Sequence, residues 1–145
     1  KEFEWPGRYL WIEGNVTILL DGAHNVGALE VLLTSLKNDS RYHGQPIHCV
    51  FSTLRNRPLG EMLEVLNDVD SFYFCPNQSQ RSVSNSILRD VGLGFVFDTS
   101  ISALKAAQDA AQKDQGLVLV TGSLFLVGEL LAYLKGKDMS RMVDG

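Results

Sequence analysis

Residues whose side chains could bind an anionic substrate stand at the ends of apolar runs in this sequence. Asp21, His24 and Asn25 follow one such run, and Ser123 follows another. If the runs are strands of an open α/β sheet, these positions lie at the carboxyl ends of the strands, where such sheets bind ligands. Small polar segments that lead into helices also offer backbone N–H groups and a helix dipole to an anion. The positions of these residues therefore predict an anion-binding site at the carboxyl edge of the sheet.

Each candidate residue also has an ordinary structural explanation. Asp21 could accept a hydrogen bond from a ribose hydroxyl, or it could cap the next helix. Arg8 is either a solvated charge or a planar fork for phosphate oxygens. His24 could hydrogen-bond a ligand or lie on the surface. Ser123 could contact a substrate carboxylate or cap a helix. Taken singly, none of these residues identifies a function.

Two well-known catalytic motifs do not occur in the chain. No G-x-x-x-x-G-K-[ST] phosphate loop is present, and Gly92-Leu93-Gly94 leads into an apolar run rather than out of one. A triad of Ser123, His24 and Asp21 is a weak alternative, because no G-x-S-x-G nucleophile elbow accompanies it. If this protein uses ATP, its phosphate loop lies outside these residues.

Composition describes one ordinary globular domain. The chain has 145 residues, of which 45% are apolar and 21% are charged, and this length suits a single domain. Thirteen basic residues against 17 acidic ones give a net charge of −4. A negatively charged domain binds polyanions poorly, so we expect no nucleic-acid partner. We expect a monomer.

Cysteine usage and the N-terminal residues indicate a reducing, cytoplasmic setting. Cys49 and Cys75 lie inside apolar runs and form no C-x-x-C pair, which is typical of buried core cysteines rather than metal ligands. Residues 1–5 are acidic and lack the apolar region of a signal peptide. No uncharged apolar stretch reaches the roughly 18 residues of a membrane span, so we expect no membrane partner. We also expect no metal site within the chain.

Strand and helix periodicities alternate along the chain. Continuous apolar runs predict strands over 9–12, 16–20, 47–51, 72–75, 95–97 and 117–120. Helical stripes separate them over about 26–36, 59–66, 83–91, 101–107 and 123–134. Gly14-Asn15 suits a tight hairpin with a positive-φ glycine, whereas 136–145 is expected to fray. These patterns predict an open, mostly parallel α/β sheet with helices on both faces and one antiparallel edge hairpin.

Three segments together resemble a known family. Trp5-Pro6-Gly7-Arg8, then Leu20-Asp21-Gly22-Ala23-His24-Asn25, and finally Val120-Thr121-Gly122-Ser123 with its continuation to Glu129 are similar to the C-terminal domain of folylpolyglutamate synthases and dihydrofolate synthases, in the Mur ligase superfamily. The resemblance implies that residues 1–145 form a Rossmann-like glutamate ligase domain. It also implies an N-terminal ATPase domain, absent from this chain, that carries the phosphate loop and the Mg²⁺ ligands.

The family reaction joins L-glutamate to the γ-carboxylate of a reduced folate through an acyl phosphate made from ATP. By this resemblance Arg8 would contact ATP phosphate oxygens and act in catalysis. Asp21 would face the ribose, and Asn25 would complete the nucleotide site. His24 and Ser123 would lie near the incoming glutamate, His24 with a catalytic role. We expect the isolated domain to be inactive.

One segment departs from the family pattern, and other functions remain open. Family members often carry a Lys-Asp pair shortly after the second parallel strand, where this chain has Arg57-Pro58. Arg57 would replace the lysine, and the aspartate is lost. The alternatives are the amino-acid-adding domain of a peptidoglycan-precursor Mur ligase, a non-catalytic nucleotide- or ligand-binding module, and a purely structural interaction domain.

Overall fold

A six-stranded sheet organises the chain in this computed structural model, which describes residues 8–144 and the side chains up to residue 137. The strands are β1 (Leu10–Ile12), β2 (Thr17–Leu20), β3 (Ile47–Phe51), β4 (Ser71–Phe74), β5 (Phe95–Val96) and β6 (Leu117–Thr121). The helices are α1 (Val26–Lys37), α2 (Leu59–Val65), α3 (Asn85–Val91), α4 (Ser100–Asp114) and α5 (Leu124–Asp144).

The strand order confirms the predicted fold. The sheet runs β1-β2-β6-β3-β4-β5, with β1 antiparallel to β2 and every other pair parallel. Successive strand residues point to opposite faces of a sheet. Leu19 and Leu119 accordingly pack against α1 and α2, whereas Ile18 and Val118 pack against α4 and α5. Burial of both faces explains why the central strands are predominantly apolar.

Several predicted helix boundaries are confirmed by their capping contacts. Thr99 caps α4 by accepting a hydrogen bond from the Ser102 N–H at 3.1 Å. Gly92 ends α3 in the left-handed region at φ +69°, a conformation that glycine adopts without steric cost. Trp5, Pro6 and Gly7, which carry part of the family resemblance, lie outside the described residues.

Two local predictions are wrong. The hairpin between β1 and β2 is a longer connection over residues 13–16, and Gly14 is not among the glycines with positive φ. The predicted fraying after residue 135 is also wrong, since α5 continues to Asp144. The segment after Gly136 contains no proline, and a single glycine inside a helix costs only about 1 kcal/mol.

The cysteines are core residues, as predicted. Cys49 and Cys75 are free and buried. Loss of solvent on burial raises the pKa of the Cys75 thiol to about 12 and raises that of Cys49 as well, so both stay protonated and are poor nucleophiles. Among the residues that the structure describes, no helix combines the length and apolar character needed to cross a bilayer.

Two neighbouring strands send their helices to opposite faces of the sheet. α1 follows β2 onto one face, and α5 follows the adjacent β6 onto the other. The connections therefore diverge and leave a crevice at the carboxyl ends of the strands, which is where open α/β sheets bind ligands.

Gly122 packs closely against the end of β3, and its replacement tests this packing. Its φ is +105°, and a Cβ there would overlap the Ser52 carbonyl oxygen and lie 2.7 Å from the Phe51 ring. We expect Gly122→Ala to lower the free energy of unfolding by about 3 kcal/mol, measured by urea denaturation of the 145-residue chain.

Gly128→Ala is the matched control. Gly128 lies in α5, and an added Cβ there meets nothing within 4 Å. This control should raise stability by about 0.5–1 kcal/mol. Equal effects of the two substitutions would contradict the packing described at Gly122.

Candidate functional site

Four loops meet at the carboxyl edge of the sheet. Residues 21–25 follow β2, residues 122–123 follow β6, residues 52–58 follow β3, and residues 75–84 follow β4. These four strands are neighbours in the order β2-β6-β3-β4, so their loops lie side by side. The structure thus brings together the segments that the sequence singled out.

The first two loops are joined by backbone hydrogen bonds. The Gly122 N–H donates to the Ala23 carbonyl at 3.0 Å, and the Asp21 N–H donates to the Val120 carbonyl at 3.0 Å. Gly22 lies so close to Leu124 that a Cβ on Gly22 would overlap the leucine side chain. The positions of His24 and Ser123 are therefore fixed relative to each other.

The larger of two cavities at this edge has a volume of about 730 Å³. Such a volume lies within the range of about 300–1,000 Å³ of ordinary ligand pockets. Its polar wall contains Arg8, Asp21 and His24, and its apolar wall runs along α1. The full lining consists of Arg8, Tyr9, Asp21, Gly22, Ala23, His24, Ala28, Val31, Leu32, Ser35 and Leu124. We call it the large cavity.

Asp21 connects two segments of this wall. One carboxylate oxygen accepts the Tyr9 N–H and the other accepts the Ala23 N–H, both at 2.9 Å. Burial raises the pKa of the Asp21 carboxyl, although the two N–H groups and the charge of Arg8 act in the opposite direction. Because each carboxylate oxygen has a second lone pair, Asp21 can hold this wall and still accept from a ligand.

Tyr9, the residue that follows Arg8, has an unusual backbone conformation. Its φ is +49°, a left-handed conformation that costs a residue other than glycine about 1–2 kcal/mol. The Tyr9 hydroxyl donates to a carboxylate oxygen of Asp39 at 2.7 Å. Arg8 is exposed at the mouth of the large cavity, and it forms no salt bridge within the described part of the chain.

His24 separates the two cavities. Its Nδ1 lies 2.9 Å from the Gly22 carbonyl oxygen, which can only accept, so Nδ1 carries the proton. In the neutral ring Nε2 is then left with a free lone pair. His24 and Leu124 line both cavities.

The second cavity, the small cavity, has a volume of about 180 Å³. Its charged lining residues are Arg57 and Arg81, with no carboxylate among the lining side chains. The Arg57 Nε is buried and has no hydrogen-bond partner within the described chain. A buried donor without a partner costs about 1–3 kcal/mol. Such a cavity suits a small ligand with acceptor oxygens.

Arg81 reaches the small cavity because the loops after β3 and β4 are hydrogen-bonded to each other. The Arg55 N–H donates to the Arg81 carbonyl at 2.8 Å, and the Val83 N–H donates to the Thr53 carbonyl at 2.9 Å. A carboxylate oxygen of Glu129 in α5 accepts the N–H of Gln78 in the loop after β4. These contacts hold Arg81 at the small cavity with Arg57, although the two arginines are far apart in the sequence.

The two remaining predicted residues make capping contacts. The Asn25 side chain accepts the Ala28 N–H at 2.8 Å at the start of α1. The Ser123 hydroxyl accepts the Phe125 N–H at 3.0 Å at the start of α5, and it lines the small cavity. Their ligand-binding roles stay predictions.

Sequence reasoning missed two residues of this site. Arg81 follows the predicted fourth strand, but nothing local indicates that its loop pairs with the loop carrying Arg57. Tyr9 had been assigned to a strand, and no sequence pattern marks a positive φ at a tyrosine. Both positions depend on contacts between segments that are distant in sequence.

The chain matches a known family. The Mur ligase family, glutamate ligase domain, matches residues 7–124. The chain belongs to this family. A relative from Haloferax volcanii, named "Probable bifunctional folylpolyglutamate synthase/dihydropteroate synthase", is 32% identical over 135 residues, which cover 89% of this chain and 16% of the relative. The dihydrofolate synthase/folylpolyglutamate synthase of Bacillus subtilis is 28% identical, with 90% of this chain and 31% of the relative covered.

Solved structures agree with this membership. Escherichia coli FolC in complex with DHPP and ADP superposes with a TM-score of 0.79 at 26% identity, covering 92% of this chain and 32% of that one. A bifunctional folylpolyglutamate synthase/dihydrofolate synthase with Mn, AMPPNP and L-glutamate bound gives 0.80 at 25% identity, covering 91% and 32%. This glutamate ligase domain therefore spans about a third of the solved enzymes that it matches.

The hydrogen bond from Tyr9 to Asp39 predicts a pH dependence of stability. Burial, followed by the contact with Asp39, raises the pKa of the Tyr9 phenol from 10.0 to about 12. The folded state thus holds the proton more tightly than the unfolded state. The resulting stabilisation is complete below pH 10 and is lost as the pH rises towards 12.

This dependence can be measured by urea denaturation across that pH range, with Tyr9→Phe as the comparison. The wild-type chain should lose its advantage over Tyr9→Phe as the phenol ionises. A constant difference between the two proteins over this range would contradict the assigned contact.

Proposed function

We propose that this chain is the amino-acid-adding domain of a folylpolyglutamate synthase. The full-length enzyme would join L-glutamate to the γ-carboxylate of a reduced folate through an acyl phosphate made from ATP. The observation that carries the proposal is the pair of cavities on either side of His24, one of nucleotide size and one of amino-acid size with two arginines. The ligands bound in the two solved relatives, ADP in one and AMPPNP with L-glutamate in the other, support it.

The nucleotide would lie at the large cavity. Arg8 would contact phosphate oxygens, where a guanidinium stabilises the negative charge that moves during phosphoryl transfer. Asp21 would accept from the ribose with its remaining lone pairs, and the Asn25 amide would complete the nucleotide site. The reacting phosphate and the folate would be presented by an N-terminal ATPase domain of the same polypeptide.

The described residues do not form a Mg²⁺ site. The large cavity offers one carboxylate, Asp21, whose two oxygens already accept backbone N–H groups. Within the described part of the chain, no three acidic, histidine or cysteine side chains come close enough to share a metal ion. Mg²⁺ prefers carboxylates combined with substrate phosphates, so we assign its protein ligands to the ATPase domain.

The glutamate would lie at the small cavity. Its two carboxylates match the guanidinium groups of Arg57 and Arg81, because charge-assisted pairs of this kind are short and strong. The orphaned Nε of Arg57 would gain an acceptor. Ser123 lines the cavity and would contact one carboxylate.

His24 would then act between the two ligands. Its free Nε2 can take a proton from the ammonium group of glutamate, which produces the nucleophilic amine. The amine nitrogen attacks the acyl carbon of the folate acyl phosphate, the bond from that carbon to the bridging oxygen breaks, and inorganic phosphate leaves with the proton that the amine loses on becoming an amide. Positioning the two reactants contributes much of the rate in such a transfer.

Substitution of Arg8 and Asp21 in the full-length enzyme tests the nucleotide assignment. Arg8→Ala should lower kcat about a hundredfold, because an arginine on the transferring phosphate matters most in the transition state. Arg8→Lys should recover only part of this loss. Asp21→Ala should raise the KM for ATP, since a ribose contact is similar in ground and transition states, and it should also lower kcat because it releases the Tyr9 N–H beside Arg8. Steady-state folate glutamylation is the measurement, and an unchanged kcat in Arg8→Ala would contradict the assignment.

Substitution of the two arginines tests the glutamate assignment. Arg57→Ala and Arg81→Ala should each raise the KM for L-glutamate by about tenfold or more, with little change in the KM for ATP, because a charge-assisted hydrogen bond is worth about 1.5–3 kcal/mol. Arg89→Ala is the matched control, since Arg89 is exposed in the last turn of α3. Equal glutamate KM values in all three variants would show that the small cavity does not hold the amino acid.

A further inference from the structure

Arg8 lies next to the only tyrosine of the described chain that has a positive φ. An arginine side chain has many rotatable bonds, and a phosphate contact needs it in one orientation. The structure describes no side-chain partner for the Arg8 guanidinium. The backbone of Arg8 is continuous with that of Tyr9, so the conformation at Tyr9 sets where the Arg8 side chain starts.

Tyr9 is held at both ends. Its N–H donates to Asp21 at 2.9 Å, and its hydroxyl donates to Asp39 at 2.7 Å. Asp21 lies at the start of the segment leading into α1, whereas Asp39 lies just beyond the end of that helix. The Tyr9 side chain thus runs along α1 between the two carboxylates, beside the apolar wall of the large cavity.

Asp39 is itself fixed by Arg41, which also contacts Trp11. Arg41 donates through Nε and Nη2 to the two carboxylate oxygens of Asp39 at 2.9 and 2.7 Å. The Arg41 guanidinium lies 4.5 Å from the centre of the Trp11 ring, and Trp11 meets the Tyr9 ring edge-on at 6.0 Å. The four side chains close a ring of contacts. We call Tyr9, Trp11, Asp39 and Arg41 the Tyr9 clamp.

We propose that the Tyr9 clamp is a positioning device that holds the Arg8 guanidinium in the large cavity for phosphate contact. The left-handed conformation of Tyr9 turns the chain so that residues 8 and 9 both line that cavity. Such a conformation persists only where surrounding contacts impose it. The hydrogen bond from the Tyr9 hydroxyl to Asp39 can be removed by Tyr9→Phe, which keeps the aromatic ring. The proposal rests on the proposed function of Arg8.

The test is a double-mutant cycle in the full-length enzyme, with folate glutamylation as the readout. Tyr9→Phe should lower kcat roughly tenfold, because a small misplacement of a catalytic group is costly, while the KM for L-glutamate stays the same. Arg8→Ala/Tyr9→Phe should be no slower than Arg8→Ala alone, since a clamp without its arginine has nothing to position. Asp39→Ala should lower kcat as much as Tyr9→Phe does. The combined variant Tyr9→Phe/Asp39→Ala should be no slower than either single variant.

Tyr42→Phe is the matched control. Tyr42 packs against the same core cluster as Tyr9, and its hydroxyl makes no hydrogen bond to a described side chain. The kcat of the Tyr42→Phe enzyme should equal that of the wild type. A melting temperature for each variant separates folding from positioning, because a loss of folded enzyme would affect the double variant as strongly as the single one.

The remaining outcomes contradict the proposal in distinguishable ways. A wild-type kcat in Tyr9→Phe beside a slow Arg8→Ala enzyme overturns the clamp and leaves the proposed function standing. A further tenfold loss in the double variant also overturns the clamp, because Tyr9 would then act independently of Arg8. A wild-type kcat in Arg8→Ala overturns both the clamp and the nucleotide assignment.

Discussion

The close approach of the loops after β2 and β6 is the constraint on which the site depends. The hydrogen bond from the Gly122 N–H to the Ala23 carbonyl joins the two loops at 3.0 Å. Gly22 allows this approach because it has no Cβ, which would overlap the Leu124 side chain. Gly122 in turn lies against the end of β3, where a Cβ would overlap the Ser52 carbonyl oxygen. From this junction α1 and α5 diverge to opposite faces of the sheet. The divergence opens two cavities and leaves His24 between them.

Charge is distributed unevenly between the site and the rest of the chain. The chain carries a net charge of −4, yet three arginines line the cavities against a single carboxylate, Asp21. Asp21 is partly neutralised by two N–H groups and by Arg8. A local excess of positive charge in a concave surface attracts anionic ligands. Both proposed substrates, a nucleotide and a dicarboxylic amino acid, are anions, and the two cavities separate them by size.

Much of the fold could be predicted because the sheet is buried on both faces. Continuous apolar runs such as that of β6 and helical stripes such as that of α1 are patterns of local sequence, and each produced an element at nearly the predicted position. The site was found in part for the same reason, since Asp21, His24 and Ser123 directly follow strands. The end of α5 could not be predicted, because a polar helix and a polar frayed tail have the same composition.

The remaining features depend on contacts over long sequence distances. Arg81 reaches the small cavity through backbone pairing of two loops, and such pairing leaves no periodic pattern in the sequence. Tyr9, with its positive φ, is hydrogen-bonded to Asp21 and Asp39, which lie 12 and 30 residues further along the chain. Asn25 and Ser123 differ from these, because local sequence indicates both of their possible roles. The sequence assigns their side chains to ligands, and in the structure they cap helices. A side chain at the start of a helix can cap the helix and also contact a ligand.

A crystal structure of the full-length protein with a non-hydrolysable ATP analogue and L-glutamate would show whether His24 separates a nucleotide site from an amino-acid site. We expect phosphate oxygens within about 3 Å of the Arg8 guanidinium on one side of His24. We expect the glutamate carboxylates at about 3 Å from Arg57 and Arg81 on the other side. Glutamate bound in the large cavity, or both ligands on the same side of His24, would contradict this arrangement.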